Sequence, residues 1–280
     1  MMIELVDVRL DHPRGGPPLV TGANLKVEGG EVVVIVGAAG VGTSRIAAAA
    51  LGEVPLAEGK IELLGRDVTK LRRSSLRLLR RRIGIVPQDL CLLEDRSVQI
   101  NTVLPLEIDG IPRSVSRARG DEMLSKLALA GDSELEVHQL SASARQRVAV
   151  ARALIREPAV VLADHPTSMQ DAEGTELVVA ALLDAASRGA AIVVCSRDPG
   201  LRAIAERRHW RQLALVDGSL RPLAEVAVDG RSIDDILIDM DSQAMPLHAV
   251  PDPELANIVP FPRSDSRPVA ESIARTAGVR

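Results

Sequence analysis

Residues 32–36 read VVVIV, an unbroken apolar run that leads into a glycine-rich turn and then into the alanine-rich stretch RIAAAALG. A strand that is apolar at every position has no face to give to water, so it must lie in a sheet covered on both sides. Such sheets are parallel and carry helices on their faces, which restricts the chain to an α/β architecture. The same pattern recurs at 83–86 (IGIV), 159–163 (AVVLA) and 190–195 (AAIVVC), with longer helical patterns between. Residues 211–223 hold two short apolar runs around Asp217-Gly218, the signature of a two-residue hairpin. Between the second and third buried strands, about residues 90–157, the pattern is mostly helical. An Arg/Glu-rich helix is expected near 113–129 and another near 143–156. Residues 1–225 are therefore expected to form one α/β domain, a mixed sheet core with a helical part inserted at about 90–157.

The composition changes after residue 225. Pro246, Pro251, Pro253, Pro260, Pro262 and Pro268 interrupt any period, so residues 226–280 are expected to be an acidic, extended or disordered tail. Within it SIDDILIDM, 232–240, has apolar residues at i, i+3, i+4 and i+7, which predicts a short amphipathic helix.

Several functions are excluded early. No apolar run approaches the roughly 20 residues of a spanning helix. The start, MMIELVDVRL, is acidic where a secretion signal needs an apolar core, so export is not expected. Cys91 and Cys195, the only cysteines, suit a reduced compartment rather than a disulfide framework or a zinc site. Net charge is −4, and the chain has one Trp, one Phe and no Tyr. It offers neither a global attraction to nucleic acid nor a platform on which bases could stack.

The turn after the first buried strand consists of Gly37, Ala38, Ala39, Gly40, Val41, Gly42, Thr43 and Ser44. Glycines between a buried strand and a helix let backbone N–H groups curl around phosphate oxygens, and the helix N-terminus adds a favourable dipole. The spacing G-x4-G-x-S fits, and Ser44 stands where a hydroxyl would ligate Mg²⁺. Thr43 replaces the lysine that should precede it. Arg45 comes one residue late, on another helix face. Alone, the loop leaves two readings open, a phosphate cradle or a tight strand–helix turn that meets no nucleotide.

Residues 140–154 read LSASARQRVAVARAL, followed by Glu157-Pro158 and AVVLADHPTS. This resembles the ATP-binding-cassette (ABC) family, whose signature helix reads LSGGQ-x-QRVAIARAL before hhhhDEPT. The resemblance covers about residues 2–225. It implies a P-loop NTPase-type ABC nucleotide-binding domain whose sites form between two subunits. Carried over position by position, it places Gln88 in the Q-loop and Asp164 with Ser44 and Gln88 at Mg²⁺. It places Ser168–Asp171 in the D-loop and the signature residues Ser141, Ala142 and Ser143 against the nucleotide of a partner subunit. Arg197 takes the position of the switch histidine, and His12 roughly that of the aromatic that stacks on adenine. The stretch VQINTVLPLEIDGIPR looks most like the cell-division FtsE, lipoprotein-release and macrolide-export group.

The chain departs from this family at six functional positions. Thr43 replaces the phosphate-binding lysine, and His165 replaces the carboxylate that polarises the attacking water. Arg197 replaces the switch histidine, Ala142 and Ser143 replace the signature glycines, and Ala144 replaces the following glutamine. A charge-assisted contact contributes roughly 1.5–3 kcal/mol, so losing the lysine weakens nucleotide binding by about one or two decades. A positioned general base contributes roughly 10²–10⁴ in rate. Phosphoryl transfer depends almost wholly on positioning and charge, so three losses together should nearly abolish turnover.

The resemblance thus implies an ATP- and Mg²⁺-binding subunit with weakened binding, a pseudo-ATPase that is cytoplasmic and peripheral at the inner face of the cell membrane. Its expected partner is an FtsX-like permease subunit, docked by the Q-loop around Gln88 to Glu94, or a scaffold protein, or an intact ABC paralogue in a heterodimer. Two alternatives stay open: an active ATPase rebuilt around His165 and Arg197, and a cytoplasmic scaffold that keeps only the fold. Arg80–Arg82 reads as a solvated helix face or a membrane-proximal basic patch.

Overall fold

The computed structural model describes residues 1–13, 15–37 and 42–226. Ala38, Ala39, Gly40 and Val41 lie outside the described residues, as do the tail and its expected helix at 232–240. The chain divides into a unit over Met1–Ala244 and a second over Met245–Arg280, and all described residues belong to the first.

The chain opens with β1 (Ile3–Leu10), β2 (Val20–Val27) and β3 (Val32–Val36), and α1 (Thr43–Ala50) follows the glycine-rich turn. Next come β4 (Glu58–Leu63), β5 (Arg66–Asp67), α2 (Arg73–Arg80) and β6 (Ile83–Val86). Three helices, α3 (Val98–Ile108), α4 (Arg113–Lys126) and α5 (Ala142–Leu154), pass before the next strand. The chain then alternates through β7 (Val160–Asp164), α6 (Ala172–Ser187), β8 (Ala191–Cys195) and α7 (Pro199–Arg207). It closes with β9 (Arg211–Val216), β10 (Ser219–Pro222) and the short α8 (Leu223–Val226).

β3, β7 and β8 are buried at every residue, as unbroken apolar runs require. They lie in a six-stranded sheet of order β10-β9-β3-β8-β7-β6, in which only β10 runs antiparallel to its neighbour. The registers Ile35↔Cys195, Asp164↔Cys195 and Val86↔Ala163 set the C-terminal ends of four parallel strands side by side. The loops that leave those ends therefore share one edge of the sheet, where α/β proteins bind ligands.

A second, antiparallel sheet has the order β2-β1-β4-β5. The sequence pattern does not announce it, because Gly22 interrupts β2 and a bulge at Asp7 (φ 48) breaks the alternation of β1. The bulge is held by Asn24, whose side-chain oxygen accepts from Asp7 N–H at 3.1 Å. α1 packs against β4 and β7 and so joins the two sheets.

Element ends differ from the sequence expectation for local reasons. α4 stops at Lys126 because Ala128 turns left-handed (φ 52), which drives Leu127 and Leu129 into the core. α5 begins at Ala142 and ends at Leu154, ahead of the left-handed Glu157 and Pro158. Asp217 and Gly218 both have positive φ, 49° and 75°, as the tight turn between β9 and β10 requires.

Candidate functional site

Gly42 caps α1 with φ 110. A Cβ there would sit 3.1 Å from Leu19 Cβ, so only glycine fits both the backbone and the space. Gly37 is buried at the end of β3. Thr43 is only 7% exposed, and its carbonyl accepts from the Cys195 thiol at 3.8 Å. Burial pushes the Cys195 thiol pKa up, so it stays a neutral donor. Ser44, one residue on, is exposed. Arg45 is half-buried, and its Nε is buried without a hydrogen-bond partner.

Ser44, Gln88 and Asp164 open onto one cavity of about 540 Å³. Its far walls come from α2, α3 and the end of α5 and include Arg80, Pro105 and Arg156. Those two arginines are spent on backbone. Arg80 donates twice to Leu51 O, at 2.9 and 2.6 Å, and Arg156 twice to Pro105 O, at 3.1 and 2.6 Å. Arg156 also pairs with Asp109 at 2.7 Å. Cys91 follows Leu90 in a loop where both are left-handed, φ 60 and 46, and Arg152 holds their carbonyls at 2.5 and 2.7 Å. Hard oxygen groups on a water-accessible wall suit Mg²⁺, which keeps several of its waters and takes few protein ligands.

Asp164 and His165 end β7. His165 is left-handed (φ 51), and its N–H donates to Cys195 O at 2.7 Å. Its Nδ1 lies 2.8 Å from Asp164 Oδ1, while its Nε2 is buried with no partner. Against a carboxylate, Nδ1 is the donor, so Nε2 is the nitrogen left to meet a water. That nitrogen is shut off from water.

The signature residues are tied into their own chain. Ser141 Oγ caps α5 by accepting from Ala144 N–H at 3.2 Å, and Ala142 is exposed beside it. Ser143 Oγ donates to Gln170 Oε1 at 3.1 Å and accepts from Arg147 at 2.9 Å. Gln170 returns a bond to Ser143 O at 2.9 Å and another to Gln146 at 3.0 Å. Gln146 donates to His165 O at 2.8 Å. One polar chain thus runs from Ser143 through Gln170 and Gln146 to His165. Gln146 and Gln170 lie inside matched motifs, but nothing in the local pattern names their partners.

Arg197 is half-buried, next to the buried Ser196. Asp198 accepts from Thr167 Oγ1 at 2.6 Å, which fastens this loop to the one after His165. His12 is half-buried in the turn after β1, and its carbonyl accepts from Gly15 N–H. The cavity that gathers Ser44, Gln88 and Asp164 is not lined by His12, Arg197 or Ser143.

The sequence profile of the ABC transporter family matches residues 20–168, more than half of the chain. The chain belongs to the ABC transporter family. This ABC chain is 36% identical to the methionine import ATP-binding protein MetN of Caulobacter vibrioides over 178 residues, 64% of this chain and 54% of that protein. It is 36% identical to MetN of Brucella abortus over 208 residues, 74% and 56% of the two chains. It spans about half the length of the curated relatives it matches. These relatives are not of the FtsE, lipoprotein-release and macrolide-export group that residues 98–113 suggested. Among solved structures, an ATP-binding cassette dimer in a post-hydrolysis state with ADP and Pi superposes with a TM-score of 0.70 at 28% identity, over 79% of this chain and 97% of that one. An ATP-binding subunit of an ABC transporter, at 19% identity, matches in fold with a TM-score of 0.72, over 86% and 99% of the two chains.

Proposed function

We propose that this ABC chain is the ATP-binding subunit of a membrane-associated complex, that it binds Mg-ATP weakly, and that it hydrolyses ATP at or near the background rate. The observation that carries the reading is His165. Its imidazole is folded back on Asp164 and its other nitrogen is buried, so the position that should polarise water presents no accessible base. Thr43, buried and uncharged, supplies no cation to a phosphate. Ser44, Gln88 and Asp164 still face a common space in which Mg²⁺, when bound, would neutralise phosphate charge. Arg45 is the unspent cation nearest in sequence to the loop.

The partner is a permease subunit, docked by the Q-loop around Gln88 to Glu94, on the Asp89 and Cys91 side of the 540 Å³ cavity, with the Ser44 and Asp164 side left to nucleotide. The cavity walls are pinned by arginine clamps on backbone carbonyls and so form a preorganised socket. That placement puts the subunit at the inner face of the cell membrane. A working ATPase built on His165 and Arg197 would need Nε2 open to water.

Phosphate release by the purified chain, alongside titration with a fluorescent ATP analogue, tests the reading. Weak binding with background turnover supports it, and robust hydrolysis abolished by His165→Ala overturns it. No binding at millimolar nucleotide would leave the fold serving only as a scaffold.

A further inference from the structure

From Lys70 to Arg82 the chain reads KLRRSSLRLLRRR, with seven basic residues and no acidic one in a protein of net charge −4. Three of these are explained by the fold. Arg80 binds Leu51 O, and Arg81 reaches Asp109 at 3.5 Å. Lys70 pairs with Asp67 at 2.9 Å. Arg72, Arg73, Arg77 and Arg82 are exposed and, among the described residues, their side chains make no ion pair or hydrogen bond.

Helix stability does not explain them either. Arg72 occupies the N-cap of α2 without a capping bond, Arg73 is its first residue, and the first turn holds no acid. Cations at that end oppose the helix dipole, so these two arginines weaken the element that carries them. Arg73, Arg77 and Arg81 follow at intervals of four, along one face. Beside them stands Leu78, 61% exposed. Ile108, at the end of α3 and also 61% exposed, adjoins Asp109, the partner of Arg81. These are the two most exposed large apolar side chains among the described residues, and they flank one ion pair.

We propose that the outer face of α2 is a membrane-contact surface that binds anionic phospholipid directly. Arg72, Arg73, Arg77 and Arg82 would meet headgroup phosphates, while Leu78 and Ile108 enter the interface. Unpaired arginines around exposed aliphatic side chains match an acidic leaflet in both charge and polarity. A nucleic acid fits less well. Leu78 and Ile108 gain nothing from a phosphate backbone, and no aromatic residue stands in this segment. Arg80 also lines the cavity at which the permease docks, so α2 borders that socket; this one strand of the argument rests on the docking reading.

The test is flotation of the full chain, without permease, on vesicles of phosphatidylcholine alone and of phosphatidylcholine mixed with phosphatidylglycerol. Binding is expected only to the acidic vesicles, and it should fall as salt screens the arginines. Each arginine at the surface contributes roughly fivefold in partitioning, so Arg73→Glu/Arg77→Glu should lower binding by about 25-fold or more. Leu78→Ser should lower it without changing the salt dependence. Both variants are exposed changes, and unchanged circular dichroism and ATP-analogue titration would show that fold and nucleotide site are untouched. Water-soluble glycerophosphate should not displace the chain, which separates a membrane surface from a lone phosphate site. Absent binding, equal binding to neutral vesicles, or variants that bind like the parent would overturn the proposal. So would duplex DNA that competes as well as the acidic vesicles. Failure of a permease to dock would bear on the earlier reading and leave the vesicle result standing.

Discussion

His165 Nδ1 lies 2.8 Å from Asp164 Oδ1, so the residue in the place of the water-polarising carboxylate binds the very aspartate that faces the cavity. The contact competes for an oxygen that Mg²⁺ would use. His165→Ala should therefore tighten Mg-ATP binding several-fold in an analogue titration, while leaving phosphate release at background. His165→Glu should not restore turnover, since Thr43 and the altered signature remain. Robust hydrolysis by His165→Glu alone would refute the account of the missing contacts.

Thr43 is buried and its neighbour Ser44 is exposed. A lysine at 43 would restore one charge-assisted phosphate contact, worth roughly 1.5–3 kcal/mol. Thr43→Lys should tighten nucleotide binding by about one to two decades, read by the same titration. An unchanged affinity would show that the loop no longer presents phosphate to that position.

Ser143 is engaged by Arg147 and Gln170 of its own chain and carries a Cβ where the family has glycine. Mg-ATP should not drive this chain into a dimer, and light scattering during size-exclusion chromatography should report a monomer with or without millimolar nucleotide. A clear ATP-dependent dimer would mean the site survives its substitutions.

Arg156 joins the end of α5 to Pro105 O and Asp109 at the end of α3, and its side chain is only 19% exposed. Replacing it removes both bonds to Pro105 O, which keeps only the Asp109 N–H at 3.2 Å, and leaves Asp109 with Arg81 at 3.5 Å as its remaining cation. Arg156→Met should destabilise the fold by about 1.5–3 kcal/mol, measured as a drop in urea midpoint at unchanged slope. A midpoint like that of the parent would mean water replaces the clamp at no cost.

Partial burial of its sulfur, then its hydrogen bond to Asp89, pushes the Cys91 thiol from an ordinary 9.0 up to about 11. The fold favours the neutral form, so this group stabilises the native state below pH 9.0. That contribution is lost as pH rises through about 11. Alkylation by iodoacetamide should accordingly be slow at pH 8 and accelerate towards pH 11. Rapid modification at neutral pH would contradict the shielding.

The parallel core was legible because VVVIV, IGIV, AVVLA and AAIVVC are apolar at every position, and such runs have one stable place. The family was legible in LSASARQRVAVARAL and ADHPTS, whose residue types keep their spacing. The β1–β2 sheet was not, since Gly22 and the bulge at Asp7 erase the alternation that announces a half-buried strand. The arginine clamps were not legible either. Arg80 read only as part of a solvated helix face or a basic patch, nothing marked Arg156, and their acceptors are carbonyls 29 and 51 residues away.

The sequence by itself determined which chemical groups stand in these motifs: a threonine at 43, an imidazole at 165, an alanine and a serine at 142 and 143. Those are local identities, and a motif with fixed spacing exposes them without coordinates. Only the tertiary structure decided what the replacements do, because an imidazole acts according to what its two nitrogens meet. Whether His165 would open to water or fold onto Asp164 depended on how β7 and β8 pair and on the left-handed turn that Cys195 O holds in place. Likewise, twelve letters of arginine, leucine and serine cannot tell which charges are spent. That follows from where α1 and α3 end, and it leaves Arg72, Arg73, Arg77 and Arg82 facing outward.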